Sequence, residues 1–198
     1  MKFMNIEDQL KNKKAFTLVE LMTVIAIIGI LLFLARPAYI KLVARVRQSN
    51  AKNELKFIYD AQKTFYAEYN QYHPDLHFAG FVPDGYPTAS NGDGSNCPVA
   101  ELNETNMGSR PPRYYKVGTD TSIDDKAIPG RGKPSCKINA YQGYLKGSQL
   151  VADFEEASFS VAEDTFIIEA TGQISDSQTM DRWTINQDLE LNNTQSGI

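Results

Sequence analysis

The chain reads as an α+β protein in which one long N-terminal α-helix, half apolar and half amphipathic, packs on a small antiparallel β-sheet. Three features of its 198 residues lead there. Residues 16–35, FTLVELMTVIAIIGILLFLA, form an apolar run of membrane length. From Ala38 to Tyr69 the chain has no Gly or Pro and repeats its apolar residues at helical spacing. Near the C-terminus, short β-prone runs alternate with turn-forming residues.

Sixteen of the twenty residues in the apolar run are apolar, the others being Thr17, Glu20, Thr23 and Gly29. As a helix it would span about 30 Å, the thickness of a bilayer's hydrocarbon core. Lys11, Lys13 and Lys14 precede it and favour a cytoplasmic N-terminus. The run is too long for a cleaved secretory signal, and Leu34-Ala35-Arg36-Pro37 makes a poor cleavage site after it. The plausible processing site lies before it, between Ala15 and Phe16. A cut there keeps the apolar segment on the mature chain and puts a free amine one helical turn from Glu20. An ionisable group inside such a segment is costly, which marks Glu20 as a functional candidate in need of a partner. The plainer reading is a helix-start carboxylate favoured by the helix dipole.

Arg36 marks the outer membrane surface, and Pro37, which lacks a backbone donor, should kink the helix. Beyond it, Ala51, Leu55, Ile58, Gln62, Phe65, Tyr69 and Tyr72 trace one face expected to pack on a sheet. Lys41, Arg45, Arg47, Lys52, Lys56 and Lys63 are expected on the opposite side. Unbroken, Phe16 to Tyr69 makes a rod about 80 Å long. Gly29 has two readings: close helix–helix approach in the membrane, or a point where the helix melts during assembly.

The remainder is one head, too short for two ordinary domains and without an internal repeat. Residues 70–147 are rich in Gly, Pro, Asn and Asp, and Pro87 to Ser95 reads as turns. Ser158 to Ala162, Thr165 to Ala170 (ended by Gly172) and Arg182 to Asn186 read as strands of an antiparallel meander, with Trp183 and Ile185 on one face. The two cysteines, Cys97 and Cys136, favour a disulfide in an exported head over free thiols or a metal pair. Closing a loop of that size is worth about 4 kcal/mol at most.

Charge divides the chain into zones. The leader is net +2, residues 36–69 are net +4 and residues 70–198 are net −9, within a total of −4. The basic stretch suits lipid headgroups or acidic neighbouring heads. An acidic head argues against non-specific nucleic-acid binding, and no specific nucleic-acid partner is expected. Arg110-Pro-Pro-Arg113-Tyr114-Tyr115 is either a local binding patch or an exposed loop with its aromatics turned inward. His73 and His77 are the only histidines, and Pro74 between them breaks the geometry of a helical metal pair. Asn91 to Asn96 (NGDGSN) reads as a turn, since it lacks the closing Glu of a calcium loop. The acidic cluster Asp153, Glu155 and Glu156 reads as a solvated edge. Neither a phosphate loop nor a catalytic triad can be assembled, so no enzyme, cofactor or metal is expected.

Lys13-Lys14-Ala15-Phe16-Thr17-Leu18-Val19-Glu20-Leu21 resembles the cleavage and methylation motif of type IV pilins and pseudopilins. The resemblance continues through Gly29, Pro37 and the mixed helix to Tyr69, and Ala170 to Ile174 with Asp181 to Ile185 is similar to closing hairpins of several bacterial members. Ala15 departs from the Gly that usually precedes the cut. The resemblance implies a pilin fold, removal of the leader by a prepilin peptidase and N-methylation of Phe16. It implies a helical homopolymer, built from the inner membrane by an assembly platform with cytoplasmic ATPases. The precursor would cross that membrane once, N-terminus inside and head in the periplasm, before joining an extracellular filament. In that setting the Phe16 amine of one subunit meets the Glu20 carboxylate of another, and the pair sets axial register.

The expected segments are a leader over 1–15, a transmembrane and filament-core half-helix over 16–37 and an amphipathic half-helix over 38–69. A loop-rich region with the disulfide covers 70–147, and the antiparallel sheet covers 148–198. The function expected is a structural pilus subunit, most simply the major pilin, serving adhesion, surface motility or uptake. The alternatives are a pseudopilin of a type II secretion system or a minor pilin, and, from another class, a membrane-anchored sensor or enzyme. In many relatives the disulfide clasps the C-terminal edge, whereas some sixty residues follow Cys136 here.

Overall fold

The computed structural model describes residues 16–90, 96–99, 102, 104–107, 112–124, 126–144, 160–174 and 179–198. The chain divides into two compact units, residues 1–40 and 41–198. Helix α1 runs from Leu18 to Tyr69 with Pro37 inside it. Its end is set by Asn70, which takes a left-handed φ of 55° while its N–H still reaches the Tyr66 carbonyl at 2.7 Å. Asparagine tolerates that conformation better than most residues and so can close a helix.

The second unit is built on a five-stranded antiparallel sheet among the described residues. Its strands are β3 (Tyr115–Gly118), β4 (Ala140–Tyr141), β5 (Ile167–Gly172), β6 (Asp181–Asn186) and β7 (Leu191–Gln195), ordered β4-β3-β5-β6-β7. A short hairpin of β1 (Thr88–Ser90) and β2 (Asn96–Pro98) and a one-turn helix α2 (Glu104–Met107) complete the described elements.

Register places Val117 opposite Ala170, and Ile168 opposite Ile185, on one face of the sheet. That face and the face of α1 carrying Ala44, Ala51, Leu55, Ile58 and Gln62 bury each other. Leu55, Ile58, Val117, Ile168 and Ile185 are each 0% exposed, and burying each such aliphatic side chain is worth about 1.5–3 kcal/mol. The other face carries Lys116, Glu169, Thr171, Arg182 and Thr184, and these too are buried. Arg182 and Glu169 pair across strands at 2.8 Å.

Gln62 is the polar member of the helix face. Its amide exchanges two hydrogen bonds with the backbone of His73, donating to the carbonyl at 2.6 Å and accepting from the N–H at 3.1 Å. Full burial is thus matched by full use of the side chain.

The structure departs from the sequence reading in five places. Tyr72 is buried but lies beyond α1, brought back by the turn at Asn70 to stack on Tyr66, with ring centroids 4.6 Å apart. Of the six basic residues expected opposite the sheet, Lys41, Arg45 and Lys56 are exposed, but the other three are not turned away from the head. Arg47 donates to the Ile174 carbonyl, Lys52 lies 4.0 Å over the Trp183 ring and Lys63 donates to the Tyr72 hydroxyl, so these three flank the buried face. The outward side carries Leu42, Val46, Ser49, Asn53, Phe57, Asp60 and Thr64.

Strand assignments also shift. Val161 makes only an isolated bridge with Phe166, and Ser158 and Phe159 lie outside the described residues. Gly172 does not end its strand but belongs to it, because a side chain there would meet the Tyr114 carbonyl oxygen at 2.1 Å. Glycine lets β3 and β5 approach. Finally, β3 and β4 come from the stretch that reads as loops, so the sheet is not confined to residues 148–198.

Candidate functional site

The apolar half of α1 starts with a reciprocal cap. The Glu20 N–H donates to Thr17 Oγ1 at 3.2 Å, while the Thr17 N–H and hydroxyl reach back to Glu20 Oε2 at 3.5 and 3.3 Å. Thr17-Leu18-Val19-Glu20 is therefore a capping box, in which two otherwise orphaned backbone donors are satisfied by side chains. The pattern of Thr followed three residues later by Glu is visible in the sequence and was open to that interpretation. One turn on, the Thr23 hydroxyl donates to the Glu20 carbonyl at 2.9 Å.

Around this cap the helix presents apolar side chains to the outside. Phe16 is 72% exposed, and Leu18, Val19, Ile25, Leu31 and Phe33 are likewise uncovered. The most apolar 18-residue window has a mean hydropathy of 2.7 with no part of it buried. A soluble helix would turn at least one face inward, so this segment is long and apolar enough to cross a membrane. At Gly29 nothing beyond the helix's own neighbouring backbone and the adjacent residues lies within 4 Å of where a Cβ would stand. The chain itself does not require glycine there. Pro37 lies inside the helix and cannot donate to the carbonyl one turn earlier. Ala15, the residue before the expected cut, lies outside the described residues.

In the head, Cys97 on β2 and Cys136 in the segment before β4 are joined as a disulfide. It ties the β1–β2 hairpin to the main sheet's approach. The Arg113 patch is not a free basic loop: Arg113 donates to both oxygens of Glu54 on α1 at 2.9 Å. Burial raises the Glu54 pKa, with Arg113 opposing. Tyr114 lies under the Arg47 guanidinium at 3.9 Å, and the buried Tyr115 hydroxyl donates to Asp181. Arg110 and Pro111 lie outside the described residues, as do 91–95 and the acidic cluster of Asp153, Glu155 and Glu156.

Asp181 is the residue the sequence did not point to. Fully buried on β6, it accepts from Tyr115 on β3, the Trp183 indole at 2.7 Å, Gln48 on α1 at 2.8 Å and the Gly197 N–H at 3.0 Å. One carboxylate thus fastens the helix, two strands and the C-terminal end. Asp181-Arg-Trp carries no pattern that predicts this, since its donors come from four separate places in the chain. His73 is buried and His77 half-buried; among the described residues no group of three or more His, Cys, Asp or Glu could hold a metal ion.

The chain thus combines a capped apolar helix bearing one acidic residue with a disulfide-bonded head of helix and antiparallel sheet. Residues 10–35 match the family described as the prokaryotic N-terminal methylation motif. Over 186 residues the chain is 33% identical to the type IV major pilin protein PilA of Myxococcus xanthus (strain DK1622), covering 88% of this chain and 80% of that protein. It is 32% identical over 143 residues to the fimbrial protein EcpC of Eikenella corrodens, covering 69% of this chain and 90% of that one. The chain belongs to the type IV pilin family.

Proposed function

We propose that this chain is the major structural subunit of a type IV pilus, serving adhesion, surface motility or uptake. A prepilin peptidase removes residues 1–15 and methylates the Phe16 amine. The precursor sits in the inner membrane by its apolar half-helix, with the N-terminus in the cytoplasm and the head in the periplasm. A platform with cytoplasmic ATPases then draws it into an extracellular helical homopolymer, so the chain supplies structure while other proteins supply energy. The observation that carries this reading is Glu20, the lone charge in an apolar helix, held one turn from the processed terminus. Similarity to a protein named as a major pilin over most of the chain supports the major-subunit role.

In the filament, the Glu20 carboxylate of one subunit neutralises the Phe16 amine of the next, an attraction strongest where the dielectric is lowest. Gly29, with open space around it, and Pro37 give the helix its points of adjustment as it leaves the bilayer. Glu20→Val tests this: the subunit should remain in the membrane at its normal level while sheared surface fibres disappear. Normal fibres from that variant, or a mature protein that mass spectrometry shows to begin at Met1, would overturn it. Fibres composed chiefly of another subunit would move the chain to a minor-pilin or pseudopilin role.

A further inference from the structure

Just past α1 the chain makes a tight return held by one imidazole. His73 is 5% exposed. Its Nδ1 accepts the Asp75 N–H at 3.0 Å, and Asp75 Oδ1 in turn accepts the Phe78 N–H at 3.0 Å. The same segment is bonded to α1 through Gln62 and to the strand side of the head through the Leu76 N–H, which reaches the Ile138 carbonyl at 2.7 Å. The ring packs against two phenylalanines that also touch each other, its centroid 5.8 Å from that of Phe65 and 4.9 Å from that of Phe78. Its residue also lines a groove of about 280 Å³ with Tyr72, Thr121, Asp124, Lys126 and Glu163. The groove gives solvent protons a route to the return.

We propose that His73 is an acid-sensitive catch that fastens the return over residues 73–81 to α1 at neutral pH and releases it when protonated. A proton on Nδ1 would point a donor at the Asp75 N–H, itself a donor, so that bond is lost outright. It would also place a full charge among aromatic rings and away from water.

The surrounding charges come from three elements. Asp75 on the return and Asp124 on the loop after β3 favour the protonated ring, while Arg131, whose guanidinium lies 5.0 Å over the Phe78 ring, opposes it. Lys126 and Glu163, which line the groove, form an exposed pair at 3.7 Å. Burial prevails and lowers the His73 pKa from its ordinary value of 6.5. A base that is harder to protonate when folded loses fold stability as pH falls from its unfolded value towards its folded one. Closure is therefore complete above about pH 6.5 and weakens about tenfold per pH unit below it, until the folded midpoint is reached.

The measurement is hydrogen exchange by mass spectrometry on the full chain in detergent micelles between pH 7.5 and 5, with rates corrected for intrinsic exchange. Peptides covering residues 72–81 should lose about tenfold protection per pH unit below about pH 6.5. His73→Asn offers Oδ1 to the same N–H without titrating, so its protection should stay flat. His77→Asn should behave as wild type. Flat protection in wild type, or the same loss in His73→Asn, overturns the proposal. Should His73→Asn fail to fold, the ring's own NMR titration decides: a midpoint below 6.5 at which the loss of protection levels off supports the catch, and a midpoint at or above 6.5 overturns it.

Discussion

Asp181 shows how much can depend on one side chain. Its carboxylate is fully buried and holds Tyr115, Trp183, Gln48 and Gly197 at once. Removing a buried acceptor costs more than the bonds it made, because each stranded donor keeps its desolvation penalty. Asp181→Ala should therefore destabilise the head by about 3 kcal/mol or more, measured as a drop in the denaturant midpoint. The same substitution should speed proteolysis near Gly197, since the C-terminal end loses its anchor. Burial raises the pKa of Tyr115, as does its bond to Asp181, so the phenol remains a donor throughout the physiological range. None of this is legible in the residues around Asp181. Glu20 is the converse: one carboxylate in an apolar run stands out before any coordinates exist, and what its cap adds is geometry.

Among elements, the helix was legible and the sheet only partly so. Ala51, Leu55, Ile58, Gln62 and Phe65 recur at helical spacing and are all buried, because a helix packed on a sheet must bury one stripe. Arg47, Lys52 and Lys63 leave the outward side for a physical reason. Long Lys and Arg side chains lie along apolar surface and cover aromatic rings, as Arg47 and Lys52 do, so charge does not mark the side farthest from the core. Strands β5 and β6 announce themselves through Ile, Thr and Trp. Strand β7, Leu-Asn-Asn-Thr-Gln, has poor intrinsic β-propensity and owes its form to pairing with β6. Strand β4 has two residues, too few for any periodicity. Gly172 offers a test at this scale. Gly172→Ala would force a methyl against the Tyr114 carbonyl and part β3 from β5. The expected cost is about 1–3 kcal/mol, with faster amide exchange at residues 115–118 as its local signature.

For the molecule as a whole, the disulfide belongs to the durability of the head and the capped helix to the proposed assembly. Cys97 and Cys136 stand 39 residues apart in sequence, with α2 and β3 between them. Cys97→Ser with Cys136→Ser should lower head stability by up to about 4 kcal/mol, and reductant should shift the unfolding midpoint of wild type but not of the double variant. Membrane insertion should be unchanged, since it depends on residues 16–35. The cap has a consequence for the precursor. Its bonds to the Glu20 carboxylate, at 3.3 and 3.5 Å, are long and therefore weak. They nonetheless give the carboxyl group partners on its own chain, so in the proposed precursor it is not left bare within the apolar segment. Loose tethers are also quickly exchanged. In the proposed filament, a waiting subunit would trade that local hydroxyl for an incoming ammonium, and one turn of helix would set how readily the exchange is made.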